Sequence, residues 1–123
     1  MIGKVCTSVI PFYDNKLGRK SFKSRPILVI NGPRNNDYNV LPISTVSNKR
    51  NLDADYDVEI DPLLYPKLNL NKMSYVRVHK LTTVHQTDII KPISDMKVEY
   101  EDLYMRVLEL LERFNDEMID NAL

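Results

Sequence analysis

The 123-residue chain has no tryptophan, a single cysteine, and no apolar run near the roughly 20 residues that a membrane-spanning helix needs. Cys6 has no partner within the chain, which excludes an internal disulfide and favours a reducing, cytoplasmic location. Because Cys6 lies in an alternating apolar segment, we interpret it as a small buried hydrophobe rather than a nucleophile. The first residues lack the charged-then-apolar pattern of a signal peptide. The sequence therefore predicts one soluble globular domain over residues 1–123.

Several chemical motifs are also missing. His79 and His85 are the only histidines, and their spacing forms no metal-binding motif. No glycine-rich phosphate loop and no nucleophile elbow is present. The acids that begin at Asp53 imitate a calcium loop, but Val58 stands where such a loop needs glycine and Leu64 where it needs glutamate. We therefore expect neither a metal nor a cofactor.

The formal net charge of zero conceals an asymmetry along the chain. Residues 1–92 carry 14 Lys/Arg against 8 Asp/Glu, whereas residues 93–123 carry 3 against 9. A basic body of this kind suits a polyanionic partner such as nucleic acid, although a solvated basic surface needs no partner at all.

Alternation and short apolar runs predict a mostly β chain. The predicted strands are residues 2–12, 25–32, 38–46, 53–61 and 73–81, with residues 82–90 as a short strand or a turn. Residues 13–24 are interpreted as a long, polar, lysine-rich loop and residues 62–71 as an irregular segment. Apolar residues three and four apart from Val98 to Met118 predict an amphipathic helix, with Ser94 as its N-cap. The expected fold is α+β, a small antiparallel sheet or barrel closed by a C-terminal helix.

The strand predicted over residues 73–81 carries the most suggestive side chains. Alternation places Tyr75, Arg77 and His79 on one face of that strand. A histidine titrates near neutral pH, and beside a permanent cation it suits acid–base chemistry on a phosphate. The alternative is that Arg77 is a surface cation and His79 a solvated or hydrogen-bonded strand residue.

Other polar residues stand at the ends of predicted strands, namely Arg25 before the second strand and Ser44 with Thr45 at the end of the third. RNA cleavage without a metal requires a proton acceptor for the 2′-hydroxyl, charge stabilisation at phosphorus and a proton donor for the leaving 5′-oxygen. His79 can transfer protons, Arg25 and Arg77 can balance developing charge, and a hydroxyl can hold a phosphate oxygen.

Five segments occur in a characteristic order. They are Gly3-Lys-Val, Lys23-Ser-Arg-Pro-Ile-Leu-Val-Ile, Asn39-Val-Leu-Pro-Ile-Ser-Thr, Ser74-Tyr-Val-Arg-Val and Ile93-Ser-Asp before the helix. With them, nearly the whole chain resembles the PemK/MazF toxins of bacterial toxin–antitoxin pairs. The resemblance implies a compact SH3-like barrel, a homodimer, and a sequence-specific, metal-independent endoribonuclease. Such an enzyme cuts single-stranded RNA to 2′,3′-cyclic phosphate and 5′-hydroxyl ends, and a cognate antitoxin blocks its groove with an acidic tail.

The resemblance also implies roles for individual residues. Arg25 matches the catalytic arginine of the family's Arg-Pro motif, and Ser44 falls at an important threonine. Thr45 is the alternative to Ser44, because adjacent strand residues face opposite ways. Arg77 matches an arginine that some members use as the acid, and His79 falls where those members have an aspartate base. This departure leaves two outcomes, activity with a changed pH profile or loss of catalysis in a retained fold.

The expected RNA contacts lie in the lysine-rich loop over residues 13–24 and on the strand predicted over residues 73–81. Tyr75 is expected either to stack a base or to belong to the core, and the loop lysines and arginine are expected to hold phosphates. The loop residues are Lys16, Arg19, Lys20 and Lys23. Two other classes of function remain as alternatives: a gyrase binder like the CcdB branch, disfavoured by the missing C-terminal tryptophan, and an inactive interaction module of the same fold.

Overall fold

The computed structural model describes all 123 residues. Seven strands come first and a helix of 22 residues ends the chain. The strands are β1 (Lys4–Asp14), β2 (Arg19–Arg34), β3 (Asp37–Ser44), β4 (Asp57–Ile60), β5 (Ser74–Arg77), β6 (Thr82–His85) and β7 (Ile89–Asp95). The helices are α1 (Met96–Glu99) and α2 (Glu101–Ala122). Short 3-10 turns lie at Lys49–Asn51, Pro66–Leu68, Val78–Lys80 and Gln86–Asp88.

All strand pairs are antiparallel, in the order β4-β5-β3-β2-β1-β7. Strand β3 joins two parts of the sheet, because its end pairs with β5 while its beginning pairs with β6. The sheet curls into a half-barrel. This architecture confirms the predicted mostly β fold with a C-terminal helix.

Apolar side chains on the two faces of the sheet form two cores. The register pairs Val5 with Leu28 and Cys6 with Ile27, and alternation sends these pairs to opposite faces. The larger core lies between the sheet and α2 and includes Val107 of the helix. The smaller core contains Cys6 and Ile27. Cys6 is fully buried, as predicted, and burial raises the pKa of its thiol.

The C-terminal helix packs against the turn before β4. The ring of Tyr56 meets Phe114 of α2 edge-on at a centroid distance of 5.0 Å, and its hydroxyl donates to the carboxylate of Glu117. The predicted N-cap at Ser94 is wrong by one residue. Asp95 caps α1 instead, since its Oδ1 accepts from the backbone N–H of Val98 at 3.2 Å.

The predicted loop over residues 13–24 is wrong in large part. Strands β1 and β2 stay paired out to a tight turn, and over residues 9–24, here named the arm, they pair only with each other. Asp14 Oδ1 accepts from the N–H groups of Lys16 and Leu17 at 2.8 and 3.1 Å. Gly18 closes the turn at φ +64°, a left-handed conformation that suits glycine.

Two predicted strands are shorter than the alternation suggests. Residues 53–56 form a turn, in which Asp53 Oδ1 accepts from the N–H of Asp55 at 2.9 Å, so β4 begins only at Asp57. Strand β5 ends at Arg77, after which the chain enters a 3-10 turn. The sequence also missed β7, which contains Pro92. That strand pairs on one side only, where a residue without an N–H is tolerated.

Candidate functional site

A groove of about 540 Å³ opens where β1, β2, β3 and β7 meet the segment before β5. Fifteen residues line it, and none of them is an aspartate or a glutamate. Four of the lining residues are cations: Lys23, Arg25, Lys72 and Lys91. With 17 acids elsewhere in a chain of zero net charge, this local excess of positive charge favours an anionic ligand.

The structure brings together Arg25, Ser44 and Thr45, all of which line the groove. The pairing of β2 with β3 ends at Ile27 and Pro42, and Arg25 and Ser44 each lie two residues beyond that pair on their own strands. Alternation therefore puts Ser44, rather than Thr45, on the face of Arg25. Thr45 also reaches the groove, because β3 ends at Ser44 and the chain turns there.

Two of the four groove cations were not predicted from the sequence. Lys91 belongs to β7, where it pairs across the sheet with Thr7, another lining residue. Lys72 lies in the segment before β5, and Ser74 Oγ donates to its carbonyl oxygen at 2.9 Å. No local pattern in the sequence marks either lysine, since each reaches the groove through a strand pairing or a loop position.

Arg77 lies outside the groove, in a cluster with Asp57 and His79 that we name the buried ion-pair cluster. Its Nε donates to Asp57 Oδ1 at 3.0 Å, and one terminal nitrogen donates to Asp57 Oδ2 at 3.2 Å and to the Asn51 carbonyl at 2.8 Å. The side chains of Arg77 and Asp57 are only 11% and 2% exposed. The side chain of Asp57 is therefore part of the interior, whereas Glu59, two residues along β4, is exposed.

His79 completes this cluster without a hydrogen bond. It stands in the 3-10 turn after β5, with Nδ1 buried, unpartnered, and 3.7 Å from Asp57 Oδ1. That separation exceeds hydrogen-bond distance. The predicted strand face of Tyr75, Arg77 and His79 is thus wrong beyond Arg77, because the strand ends there. Catalytic roles for Arg77 and His79 stay predictions for two side chains that do not line the groove.

The predicted RNA contacts are divided between the groove and its surroundings. Tyr75 is half-exposed and pairs with Ser44 on one side and Glu59 on the other, one strand away from the groove wall. Lys23 lines the groove. The other three predicted cations are exposed on the arm: Lys16, Arg19 and Lys20.

Comparison with known protein families identifies the family of the chain. The family of PemK-like, MazF-like toxins of type II toxin–antitoxin systems matches residues 8–112. The chain belongs to this toxin family. The resemblance drawn from the sequence motifs is therefore confirmed. A comparison with curated proteins gives no match.

Among solved structures, the toxin MazF-mt6 of Mycobacterium tuberculosis is similar in fold. It superposes with a TM-score of 0.64 at 17% sequence identity, over 92% of this chain and 96% of that one. The fold of this toxin is accordingly the MazF/PemK fold. None of its helices is both long and apolar enough to cross a membrane.

Proposed function

We propose that this toxin is a sequence-specific endoribonuclease that cuts single-stranded RNA without needing a metal ion. The observation that carries the proposal is the groove, whose lining includes four cations, Arg25 among them, and the hydroxyl of Ser44, but no carboxylate. A phosphodiester brings one negative charge per nucleotide, and lysines and arginines with no acid among them attract it. The reaction class is inferred from the family, and we assign the reaction to the groove.

In the proposed reaction a solvent water accepts the proton of the 2′-hydroxyl, and the 2′-oxygen attacks the neighbouring phosphorus. A bond forms between the 2′-oxygen and phosphorus, and the bond from phosphorus to the 5′-oxygen breaks. The leaving 5′-oxygen takes a proton from solvent water, so the products carry a 2′,3′-cyclic phosphate and a 5′-hydroxyl. Arg25 stabilises the extra negative charge on the phosphorane, and Ser44 donates a hydrogen bond to a phosphate oxygen.

Arg77 and His79 are assigned a structural role in this proposal. A proton-transfer group must come within about 3 Å of the atom it serves. The guanidinium of Arg77 already donates to Asp57 and to the Asn51 carbonyl. We expect His79→Asp to leave the shape of the pH–rate profile unchanged. A displaced basic limb in this variant would restore His79 as the base.

The deciding experiment incubates the purified toxin with a long single-stranded RNA in EDTA and maps the new ends. We expect cleavage at recurring short sequences, with cyclic phosphate and 5′-hydroxyl ends. Arg34→Ala is the matched control for Arg25→Ala, because Arg34 is an exposed arginine at the other end of the same strand. No cleavage at any pH between about 5 and 9 would leave a non-catalytic binder of this fold.

We further propose that a cognate antitoxin neutralises the toxin by laying an acidic segment in the groove. The charge of the groove is complementary to such a segment, and RNA would compete for the same four cations. The product of an adjoining gene with an acidic tail should inhibit cleavage, and Lys91→Ala should weaken that inhibition. Inhibition unaffected by Lys91→Ala would place the antitoxin elsewhere.

The homodimer implied by the family is the remaining part of the proposal. Light scattering coupled to size-exclusion chromatography should report a mass near twice the 14.3 kDa of the chain. A monomeric mass at micromolar concentration would contradict it.

A further inference from the structure

The arm presents two uncovered aromatic side chains on one face. Phe22 is 72% exposed and Tyr13 is 62% exposed. The register pairs Pro11 with Phe22 and Tyr13 with Lys20, so these four residues share a face. Single exposed apolar residues are ordinary, but two aromatic rings on one face beside the cation of Lys20 form a distinct surface.

The third aromatic ring of the arm is already covered. Phe12 lies on the opposite face, and Lys23 Nζ stands 5.5 Å from its ring centroid. Phe12 is half-buried, in contrast to Phe22 and Tyr13. The available aromatic surface of the arm is therefore confined to one side.

That side is continuous with the groove. Thr7 pairs with Pro26 and Val9 pairs with Ser24, and alternation places both pairs on the face of Phe22. Thr7, Ser24 and Pro26 all line the groove. Same-face residues along a strand are about 7 Å apart, so Phe22 stands one such step beyond Ser24. Ser24 and Phe22 therefore continue one wall of the groove along the arm.

We propose that Phe22 and Tyr13 form a stacking platform for bases of single-stranded RNA that leaves the groove along the arm. The proposal rests on the function proposed above and adds a base-binding subsite to it. Unpaired bases stack on aromatic rings while cations hold the phosphates. The arm supplies those cations and only one acid, Asp14, whose carboxylate is occupied by two backbone N–H groups of the turn.

Binding to an RNA that cannot be cut tests the platform separately from catalysis. The probe is a fluorescein-labelled 2′-O-methyl oligonucleotide of about 12 nucleotides, which lacks the attacking hydroxyl. We expect Phe22→Ala to weaken its binding about 5- to 100-fold, as measured by anisotropy. Phe22→Trp should bind like the wild type, whereas Phe22→Leu should bind like the alanine variant. Leu17→Ala, an exposed apolar residue of the same arm, is the matched control and should change nothing.

The salt dependence provides a second readout. Loss of a stacking ring should leave the slope of log affinity against log salt unchanged, whereas Lys20→Ala should reduce its magnitude by about 0.7. Phe22→Ala and Phe22→Leu variants that bind the probe as tightly as the wild type would overturn the platform. If the toxin cuts RNA in that case, the proposed function still stands. If the toxin cuts no RNA but binding depends on the Phe22 ring, the platform stands and the ribonuclease proposal fails.

Discussion

The groove and the buried ion-pair cluster place the same type of cation in opposite surroundings. Arg25 lines an open groove that has no carboxylate among its lining residues. Arg77 is nearly buried and donates to both carboxylate oxygens of Asp57. A cation without an acidic neighbour remains available to a ligand, whereas a cation paired in the interior stabilises the chain segments that it joins.

The two regions also differ in what they connect. The groove is formed by strand ends and a loop, and its cations come from separate parts of the chain. The ion-pair cluster joins Asp57 of β4 to Arg77 of β5 and to the Asn51 carbonyl of the preceding loop. The difference shows that charge alone does not mark a binding residue, because pairing and burial decide its role.

The largest expected effect is on stability, at the ion-pair cluster. Arg77→Ala leaves the carboxylate of Asp57 buried and unpaired, so the free energy of unfolding should fall by about 3 kcal/mol. Urea denaturation measures this loss. The double variant Asp57→Leu/Arg77→Met is the control and should recover most of the stability, since it removes both charges. Unchanged stability with abolished cleavage in Arg77→Ala would instead move Arg77 into the active site.

The second effect, on activity alone, is expected in the groove. Arg25→Ala should lower the rate of RNA cleavage about 100-fold or more, because the phosphorane loses a charged donor. The melting temperature should stay within about 2 °C of the wild type, as for a surface change of under 0.5 kcal/mol. Single-turnover cleavage and calorimetry on the same samples separate the two quantities. A large loss of stability would show that Arg25, like Arg77, supports the fold.

A smaller effect distinguishes the two hydroxyls at the end of β3. Ser44→Ala should slow cleavage about 10-fold, the cost of one hydrogen bond to a charged group. Thr45→Val keeps the shape of the side chain and should change the rate less than about 3-fold, because Thr45 is not on the face of Arg25. The reverse order of effects would assign the phosphate contact to Thr45.

The salt dependence of RNA binding tests whether the groove lysines act as free cations. Lys91→Ala should reduce the magnitude of the salt slope by about 0.7, the value for one lost phosphate contact on a single strand. Lys67→Ala is the matched control, because Lys67 is exposed but donates to Glu99 at 2.7 Å, outside the groove. Equal slopes for both variants would contradict the distinction between free and paired cations.

The smallest effect is a pH dependence of stability at the contact between Tyr56 and α2, which belongs to neither the groove nor the buried ion-pair cluster. The hydrogen bond to Glu117 raises the pKa of Tyr56 from its ordinary 10.0 to about 12, so the folded chain holds this proton more tightly than the unfolded chain. The contribution to stability is complete below pH 10 and is lost as the pH rises through about 12. Tyr56→Phe should show a smaller alkaline loss of melting temperature. An identical loss would assign the effect to Tyr104, whose pKa is raised by burial.

The arm shows one limit of prediction from sequence. Both of its faces carry exposed side chains, so the alternation of apolar and polar residues that marks a half-buried strand is absent. Asp14 and Gly18, the two residues that close its turn, were visible in the sequence. The two strands of the arm are held by hydrogen bonds between their backbones. The local sequence pattern does not reveal this pairing.

Strand β5 shows a different limit. Alternation placed Tyr75 and Arg77 on one face correctly, and their partners Glu59 and Asp57 lie on the same face. It failed at His79, because the strand ends where the chain turns into the 3-10 segment. Strand length depends on the availability of a partner strand, and β4 offers pairing only as far as Asp57.

The sequence by itself determined the family, the mostly β fold and the C-terminal helix, because periodicity and motif order are local properties of the chain. It also identified Arg25 and Ser44, both of which line the groove. Only the tertiary structure decided that Lys91 joins them and that Arg77 is paired with Asp57. The physical reason is that burial and charge pairing depend on residues distant in sequence, so the same cation serves binding or stability according to its neighbours in space.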